Sequence, residues 1–467
     1  MTNKLPLIRF PLWLVLANCF VGCNNPKKET HTITVETFEQ SELSYPDSAV
    51  VISKATRAAF LNNFFVTWNK SSEQLLDSLN PFPGKELTYL SQYMGDDEWY
   101  GENKKPHKKW QRQAIVNNVD TTSFPNFLKK GLIVAHTNLR RIPTNRPGFD
   151  SYSKAGEGFP FDYFQETNLW INTPLQLVHL TNDKQWCYVI SPYYKGWVQM
   201  KDIGVVSDEF MEDWLTGTYA MPLFDGVNLK DSNSMYAVNA KLGALLPCVP
   251  VQNGLDSIMV YYANADENQN AKILKAIIPK DQVALSDFEF NRVNLQQLVS
   301  NLIGRPYGWG GNLENRDCSS MIRDLMATYQ VWLPRDSKDQ MEIGKVYELA
   351  DTREEKMQLI QEKGIPFQTI LRKKGHNMLY VGNADNGEPL IFHAIWGLKT
   401  TYSDTELAKF LSQYPIEGIH LEEDGTLKGR HIIGEAVITS VMAGQGNTDV
   451  TIPLIDEIYA MTNILGE

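Results

Sequence analysis

The chain has 467 residues, more than one ordinary domain of about 150 residues holds, and its 43% hydrophobic and 21% charged content is that of a globular protein, which excludes a disordered chain. A formal net charge of −11, spread without an acidic or basic block, argues against a nucleic-acid partner, because no cationic stripe is present to neutralise phosphates. Five cysteines are too few for a disulfide scaffold in a chain of this length.

The chain opens with Lys4 and Arg9, followed by an apolar run from Phe10 to Leu16 that extends to Val21. That run falls short of the roughly 20 apolar residues of a membrane span, and its pattern predicts an export signal over residues 1–22. Phe20-Val21-Gly22-Cys23 resembles the lipobox of bacterial lipoproteins, which implies lipidation of Cys23 at the new N-terminus. Cleavage nearby without a lipid is the plainer alternative. Residues 23–42 are polar and aperiodic, as expected of a tether. Once the signal with Cys19 is removed and Cys23 is lipidated, Cys187, Cys248 and Cys318 remain as thiols. Cys187, in W-C-Y-V-I, and Cys248, beside Pro247, read as buried fillers, with a bridge between them left open.

Residues 43–130 form a helical block. Ala55, Ala58, Ala59, Leu61, Phe64, Phe65 and Trp68 fall on one helical face, and a second helix is expected between Trp99 and Val116. After Lys129 the texture changes to short β-branched and aromatic runs broken by Gly, Pro, Asn and Asp. This predicts two small antiparallel barrels, over residues 131–204 and 205–290. Both close on a strand followed by Lys-Asp and an aliphatic residue, at Lys201-Asp202-Ile203 and Lys280-Asp281-Gln282-Val283. The echo favours duplication.

Residues 291–467 mix helix and strand. N-R-V-N-L-Q-Q-L-V-S-N-L-I-G reads as a helix stopped by Gly304, and a second helix carries Met321, Ile322, Leu325, Met326 and Tyr329 on one face. N-M-L-Y-V-G and P-L-I-F-H-A-I-W are strands joined by N-A-D-N-G-E, whose Asn386-Gly387 marks a hairpin. Helices first and a sheet after them make an α+β domain.

Cys318, in R-D-C-S-S-M-I-R, opens the second of these helices. A first-turn position favours a thiolate through the backbone dipole and unpaired amides. A nucleophilic sulfur still needs a base to carry the proton to the leaving amine, and histidine is the candidate. His376 and His393 lie on the two arms of the hairpin. If facing residue numbers sum to an odd value the two rings share a face, and an even sum separates them; both registers stay open. In the shared-face register Cys318 is the nucleophile, His376 the base, and His393 the group that orients it by accepting its second ring proton. Taken singly, each has a plainer role as a buried or surface side chain. A metal site competes for the same residue types, but no C-x-x-C or H-E-x-x-H occurs. Neither G-x-S-x-G nor a phosphate-cradling glycine loop is present, and the carboxylates give no positive sign of a glycosidase pair. No cofactor is expected.

G-R-P-Y-G-W-G-G, D-C-S-S, L-P-R-D-S, G-H-N-M-L-Y-V-G and F-H-A-I-W-G, in that order, resemble the catalytic domain of the NlpC-type cell-wall peptidases, papain-like cysteine enzymes that cleave peptidoglycan stem peptides. The resemblance covers about Asn294 to Gly434. The preceding blocks look like the branch in which a helical segment and two bacterial SH3-like barrels precede the peptidase. The implied fold is multidomain α+β: helical N-terminal segment, two small SH3-like β-barrels, and a papain-like peptidase domain over 291–467.

In that branch the resemblance implies a γ-D-glutamyl-L-diamino acid endopeptidase acting on stem peptides with a free N-terminal L-alanine. Carried over by position, Cys318, His376 and His393 are catalytic and Tyr307 lines the oxyanion region. Asp317 binds the free amine, and Ser319, Asp336 and Ser337 shape the peptide subsites. The amine argument is that a buried carboxylate recovers its desolvation only when a cation arrives. Asp317 as a plain helix cap, and Asp336-Ser337 as another helix start, are the simpler readings. Glu166 and Tyr194 of the first barrel are the candidates for completing the amine site, against an ordinary barrel-surface role. Asn-Met-Leu after His376 departs from the commoner Val-Gly-Ile of the family, so that strand is expected to pack differently.

The implied partners are peptidoglycan stem peptides and, through Cys23, a membrane, with the protein exported and anchored at the cell envelope. No pattern speaks to the oligomeric state. The competing expectation is a catalytically idle peptidoglycan-binding lipoprotein, against which all three catalytic positions hold competent residues. An activated Cys318 is expected to react with a thiol probe near neutral pH faster than a free cysteine.

Overall fold

The computed structural model describes residues 35–77, 84–95, 97–251, 256–402, 409, 419–422, 425–447, 450 and 452–466. The expected signal, the lipobox with Cys23 and the first part of the tether lie outside the described residues. Residues 35–45, partly from the expected tether, lie against the C-terminal domain. Phe38 donates its backbone N–H to the Ile438 carbonyl at 3.0 Å, Ser44 donates to Val381 at 2.9 Å, and Leu43 and Tyr45 are buried.

Helices follow at Lys54–Phe64, Val66–Asn69, Ser72–Asp77, Gly84–Met94 and Lys109–Asn117. The buried face of the first differs from the expected one. Phe60 and Phe64 point inward, with Phe65 just beyond the helix, while Ala55, Ala58 and Ala59 are exposed. An aromatic ring buries far more area than a methyl group, so the rings set the orientation. The second expected helix starts only at Lys109, after a stretch of turns from Trp99 onward.

Seven antiparallel strands between Lys129 and Val205 make the first sheet. Five between Tyr219 and Ala284 make the second, beside a two-stranded ribbon of Val227–Lys230 and Ala237–Ala240. The two sheets end alike. A strand leads into a 3-10 turn, Met200–Asp202 or Lys280–Gln282, and then into a short closing strand, Ile203–Val205 or Val283–Ala284. The Lys-Asp echo therefore marks one structural position used twice. Cys187 and Cys248 are free and buried in separate apolar clusters.

The C-terminal domain opens with helix α1 (Arg292–Leu302), capped by the Asn291 side chain and followed by Gly304 at φ +72°. Helix α2 (Cys318–Ala327) follows, all ten of its residues buried. The sheet holds β1 (Lys345–Glu348), β2 (Thr369–Lys373), β3 (His376–Asn383), β4 (Pro389–Tyr402), β5 (His420–Leu421), β6 (Leu427–Ser440) and β7 (Ile458–Asn463), in the order β1-β7-β2-β3-β4-β6-β5. Helix α2 packs on β3 and β4. One apolar core draws Phe60, Leu132, Met221 and Leu325 from all four blocks of the chain. Arg316, just before the helix, is buried between Asp324 of α2 at 2.7 Å and Asp225, in the turn after strand Tyr219–Pro222 of the second unit, at 2.7 Å, and Trp170, just past strand Gln165–Leu169 of the first, donates to the same Asp324 at 3.0 Å. The start of α2 is thus tied to both preceding units.

Candidate active site

Asp317 caps α2. Its Oδ1 accepts from the Ser320 amide at 3.0 Å while the Asp317 amide donates to Ser320 Oγ at 2.9 Å, the reciprocal arrangement of a capping box. Its Oδ2 accepts from Arg335 at 2.6 Å and from the Gly310 amide at 3.0 Å. Burial acts to raise the Asp317 pKa, but Arg335 and the Ser320 contacts hold it below the ordinary carboxylate value. The unpaired carboxylate assumed by the amine argument is therefore absent: Arg335 already supplies the counter-charge. Arg335 also donates to Ser319 at 2.9 Å and to Thr167 of the first sheet at 2.8 Å. It stands in the L-P-R-D-S stretch, beside residues singled out from the sequence, yet it is the one that organises them.

The glycines of W-G-G bring the loop before Cys318 against the first sheet. Gly310 and Gly311 sit at φ +59° and +81°, and added Cβ atoms would lie 2.8 Å from Gln165 Cγ and 2.6 Å from Asn168 Cβ. Only glycine combines that backbone with so close an approach.

The hairpin brings the two histidines together. Next to the turn, Asn383 faces Pro389 and Gly382 faces Leu390, an even register that would separate the rings. A bulge at Val381 then shifts the pairing, so that Tyr380 faces Ile391 and Leu379 faces Phe392, an odd register. His376 Nε2 lies 2.9 Å from His393 Nδ1, and His393 Nε2 lies 3.1 Å from the hydroxyl of Thr439 on β6. In the tautomer in which Thr439 accepts from His393 Nε2–H, His393 Nδ1 accepts from His376 Nε2–H and the lone pair of His376 lies on Nδ1. Thr439 had no sequence signal. The backbone amide of Asn377, next to His376, acts on the Cys318 sulfur, which joins hairpin and helix at that point. The departure at Asn377-Met378 has a structural use: the Asn377 side chain donates to the Ser337 carbonyl and to Gln340, both at 2.9 Å.

The resting electrostatics differ from the expectation of a favoured thiolate. Burial, reinforced by Asp317, pushes the Cys318 thiol up to about 11, against the Asn377 amide and Arg335. Burial, then His393 and Lys373, push His376 well below its ordinary value, and burial and Lys373 take His393 to about 3. In this buried setting desolvation outweighs the helix dipole, which contributes about 1–2 kcal/mol at most. The pair rests as neutral thiol and neutral imidazole.

Two adjoining cavities share Tyr163, Tyr307, Trp309 and Gly375 on their walls. One, of about 250 Å³, is lined by Cys318, Asp317, Ser319, Asp336, Ser337, Glu166 and Tyr194 together; the other, of about 260 Å³, is lined by His376. Every expected substrate-binding residue thus borders the cysteine side. Tyr307 faces both cavities, its pKa raised by burial and by the nearby Cys318 and Asp317. Glu166 pairs with Arg141 at 2.6 Å. Tyr194 donates to Asp336 at 2.8 Å, and Asp336 also caps the short helix Ser337–Gln340. Among the described residues no cluster of His, Cys, Asp and Glu is arranged to hold a metal ion.

Residues 147–199 match the SH3 domain of SH3b1 type, residues 207–251 the SH3 domain of SH3b2 type, and residues 304–405 the NlpC/P60 family. No curated protein matches the chain significantly. Among solved structures, an NlpC/P60 endopeptidase from Photobacterium damselae subsp. piscicida is similar at a TM-score of 0.75 and 22% identity, over 93% of this chain and 98% of that one. At that identity the likeness speaks for the fold. An NlpC/P60 family protein from Bacillus cereus ATCC 10987 gives a TM-score of 0.45 at 15% identity, over 72% and 99% of the two chains. The chain carries two SH3b-type domains followed by a C-terminal domain of the NlpC/P60 family, a family of cysteine peptidases, and these together support a cell-wall peptidase.

Proposed function

We propose that this protein is an exported, lipid-anchored cysteine peptidase that hydrolyses the γ-D-glutamyl–diamino acid bond of peptidoglycan stem peptides with a free N-terminal L-alanine. The observation that carries the reading is the relay His376–His393–Thr439 at 2.9 and 3.1 Å, on the wall of a groove whose other half contains Cys318.

In this reading Cys318 Sγ attacks the γ-carbonyl carbon as His376 Nδ1 takes the thiol proton, so that a charged pair forms only as the C–S bond is made. His393 accepts from His376 Nε2–H and holds the ring in that tautomer. The imidazolium returns its proton to the leaving amine and a thioester remains. Water, deprotonated by His376, then releases the acid and restores the thiol. Three carboxylates, Asp317, Glu166 and Asp336, face two guanidinium groups, Arg141 and Arg335, around the cysteine-side cavity. That excess of negative charge supports a cationic N-terminus there, with the three carboxylates acting jointly rather than Asp317 alone.

The test is release of the diamino acid from a synthetic L-Ala-γ-D-Glu-diamino acid tripeptide. Wild type is expected to cleave it, Cys318→Ala to lose about 10⁴-fold or more in kcat, and the N-acetylated peptide to be cleaved poorly. A Cys318→Ala protein as active as wild type would refute the reading, and equal rates on the two peptides would refute the amine requirement.

A further inference from the structure

The histidine-side cavity differs in charge from the cysteine side. Among the described residues, Lys373, Lys374, Lys399 and Arg430 line it against a single carboxylate, Glu457. Glu457 is already engaged, bonded to Lys373 and 3.7 Å from Lys399 Nζ. Among the described residues Arg430 makes no ion pair within 4 Å, and Glu457 acts on it only from a distance. Its Nη1 makes one long hydrogen bond, 3.4 Å, to the Gly397 carbonyl, and its Nε is buried without an acceptor.

The first SH3b domain holds the guanidinium in place. Its carbon lies 5.4 Å from the Phe161 ring centre, and a Cβ added at Gly156 would come within 2.5 Å of Nη2. Directly across from Arg430, on β4, stands Lys399. Like charges facing each other on neighbouring strands destabilise a sheet, and a buried donor without an acceptor does the same to a core. An anion in the cavity relieves both.

The chemistry of the reaction says which part of a substrate reaches this cavity. His376 hands its proton to the leaving amine, so whatever follows the scissile bond lies beside His376, whereas the N-terminal part lies among the carboxylates on the cysteine side. We propose that Arg430, with Lys373, Lys374 and Lys399 around it, is a carboxylate subsite that selects a diamino acid whose side chain ends in a second carboxylate over one whose side chain ends in an ammonium group alone. The inference rests on the peptidase reading above. A carboxylate takes two parallel N–H bonds from a guanidinium. A lone ammonium meets four cations in the same space, and rejection contributes to selectivity as much as attraction does.

The experiment measures kcat/KM of the full mature protein on L-Ala-γ-D-Glu-meso-diaminopimelate and L-Ala-γ-D-Glu-L-lysine. Wild type is expected to prefer the diacid peptide by about 50-fold or more, the order of loss that leaving a buried donor unpaired produces. Arg430→Gln is expected to bring the two within a few-fold of each other, and Arg430→Lys, which keeps the charge without the planar fork, to restore part of the preference. The melting temperature of Arg430→Gln is expected not to fall, since a desolvated cation without an ion pair of its own is removed.

Equal rates in wild type, or a preference that survives Arg430→Gln, overturn the subsite while leaving the peptidase reading intact. Hydrolysis of neither peptide overturns that reading, and calorimetry on the Cys318→Ala protein then decides the subsite by itself. Tighter binding of the diacid peptide that is lost on adding Arg430→Gln supports it, and equal binding of the two peptides overturns it.

Discussion

Cys318 shows how burial reverses what position alone suggests. A first-turn cysteine is expected to be acidic, yet this one is a thiol held up at about 11, while His376 on the wall of the adjoining cavity is held well below 6.5. Two consequences are measurable. A base whose pKa is depressed stays unprotonated further into acid, so kcat/KM is expected to keep its plateau below pH 6, and an acid limb centred near 6.5 would contradict the assignment. Iodoacetamide at pH 7.5 is expected to alkylate Cys318 more slowly than a free cysteine, because so little thiolate is present. For stability the signs are opposite. The raised thiol contributes below its unfolded value near 9 and loses that contribution as pH rises through about 11, whereas His393, lowered to about 3, contributes above 6.5 and loses it as pH falls toward 3.

At the scale of elements, the hairpin decides whether there is a relay. The bulge at Val381 converts the register set by the turn into the one that aligns the rings. The Val381 carbonyl accepts from Ser44, and a Cβ on Gly382, at φ +124°, would lie 2.2 Å from Ser44 Oγ. An N-terminal residue thus supports the distortion on which the histidine pair depends. On the neighbouring strand, Thr439→Val removes the acceptor for His393 without changing volume. It is expected to lower kcat by about 10–100-fold, part of what a full base contributes, with KM little altered and the fold intact by circular dichroism. An unchanged kcat would remove Thr439 from the relay. The elements themselves were legible where side-chain period and punctuation agree, as in α1 with Asn291 and Gly304 at its ends. The helix at Lys54 was legible as a helix but not in its orientation, because period does not weigh a phenylalanine against an alanine.

At the scale of the molecule, the peptidase groove is built across domains. Arg335 spans from Thr167 of the first sheet to Ser319 and Asp317 at the cysteine helix. Arg335→Ala leaves Asp317 buried without its counter-charge and is expected to cost about 3–5 kcal/mol, read as a lowered midpoint in chemical denaturation, together with a large loss of activity. A midpoint within error of wild type would mean that the Asp317 cap holds without it.

The order of motifs by itself determined the domain sequence, the nucleophile candidate at the head of a helix and both histidines, because residue type, spacing and turn chemistry are local properties that a linear string records. Tertiary structure alone decided the register that joins the rings, the arginine that neutralises Asp317, the desolvation that sets the resting protonation, and the unmatched guanidinium of Arg430. Each of these depends on distances between residues far apart in the chain and on the water excluded between them.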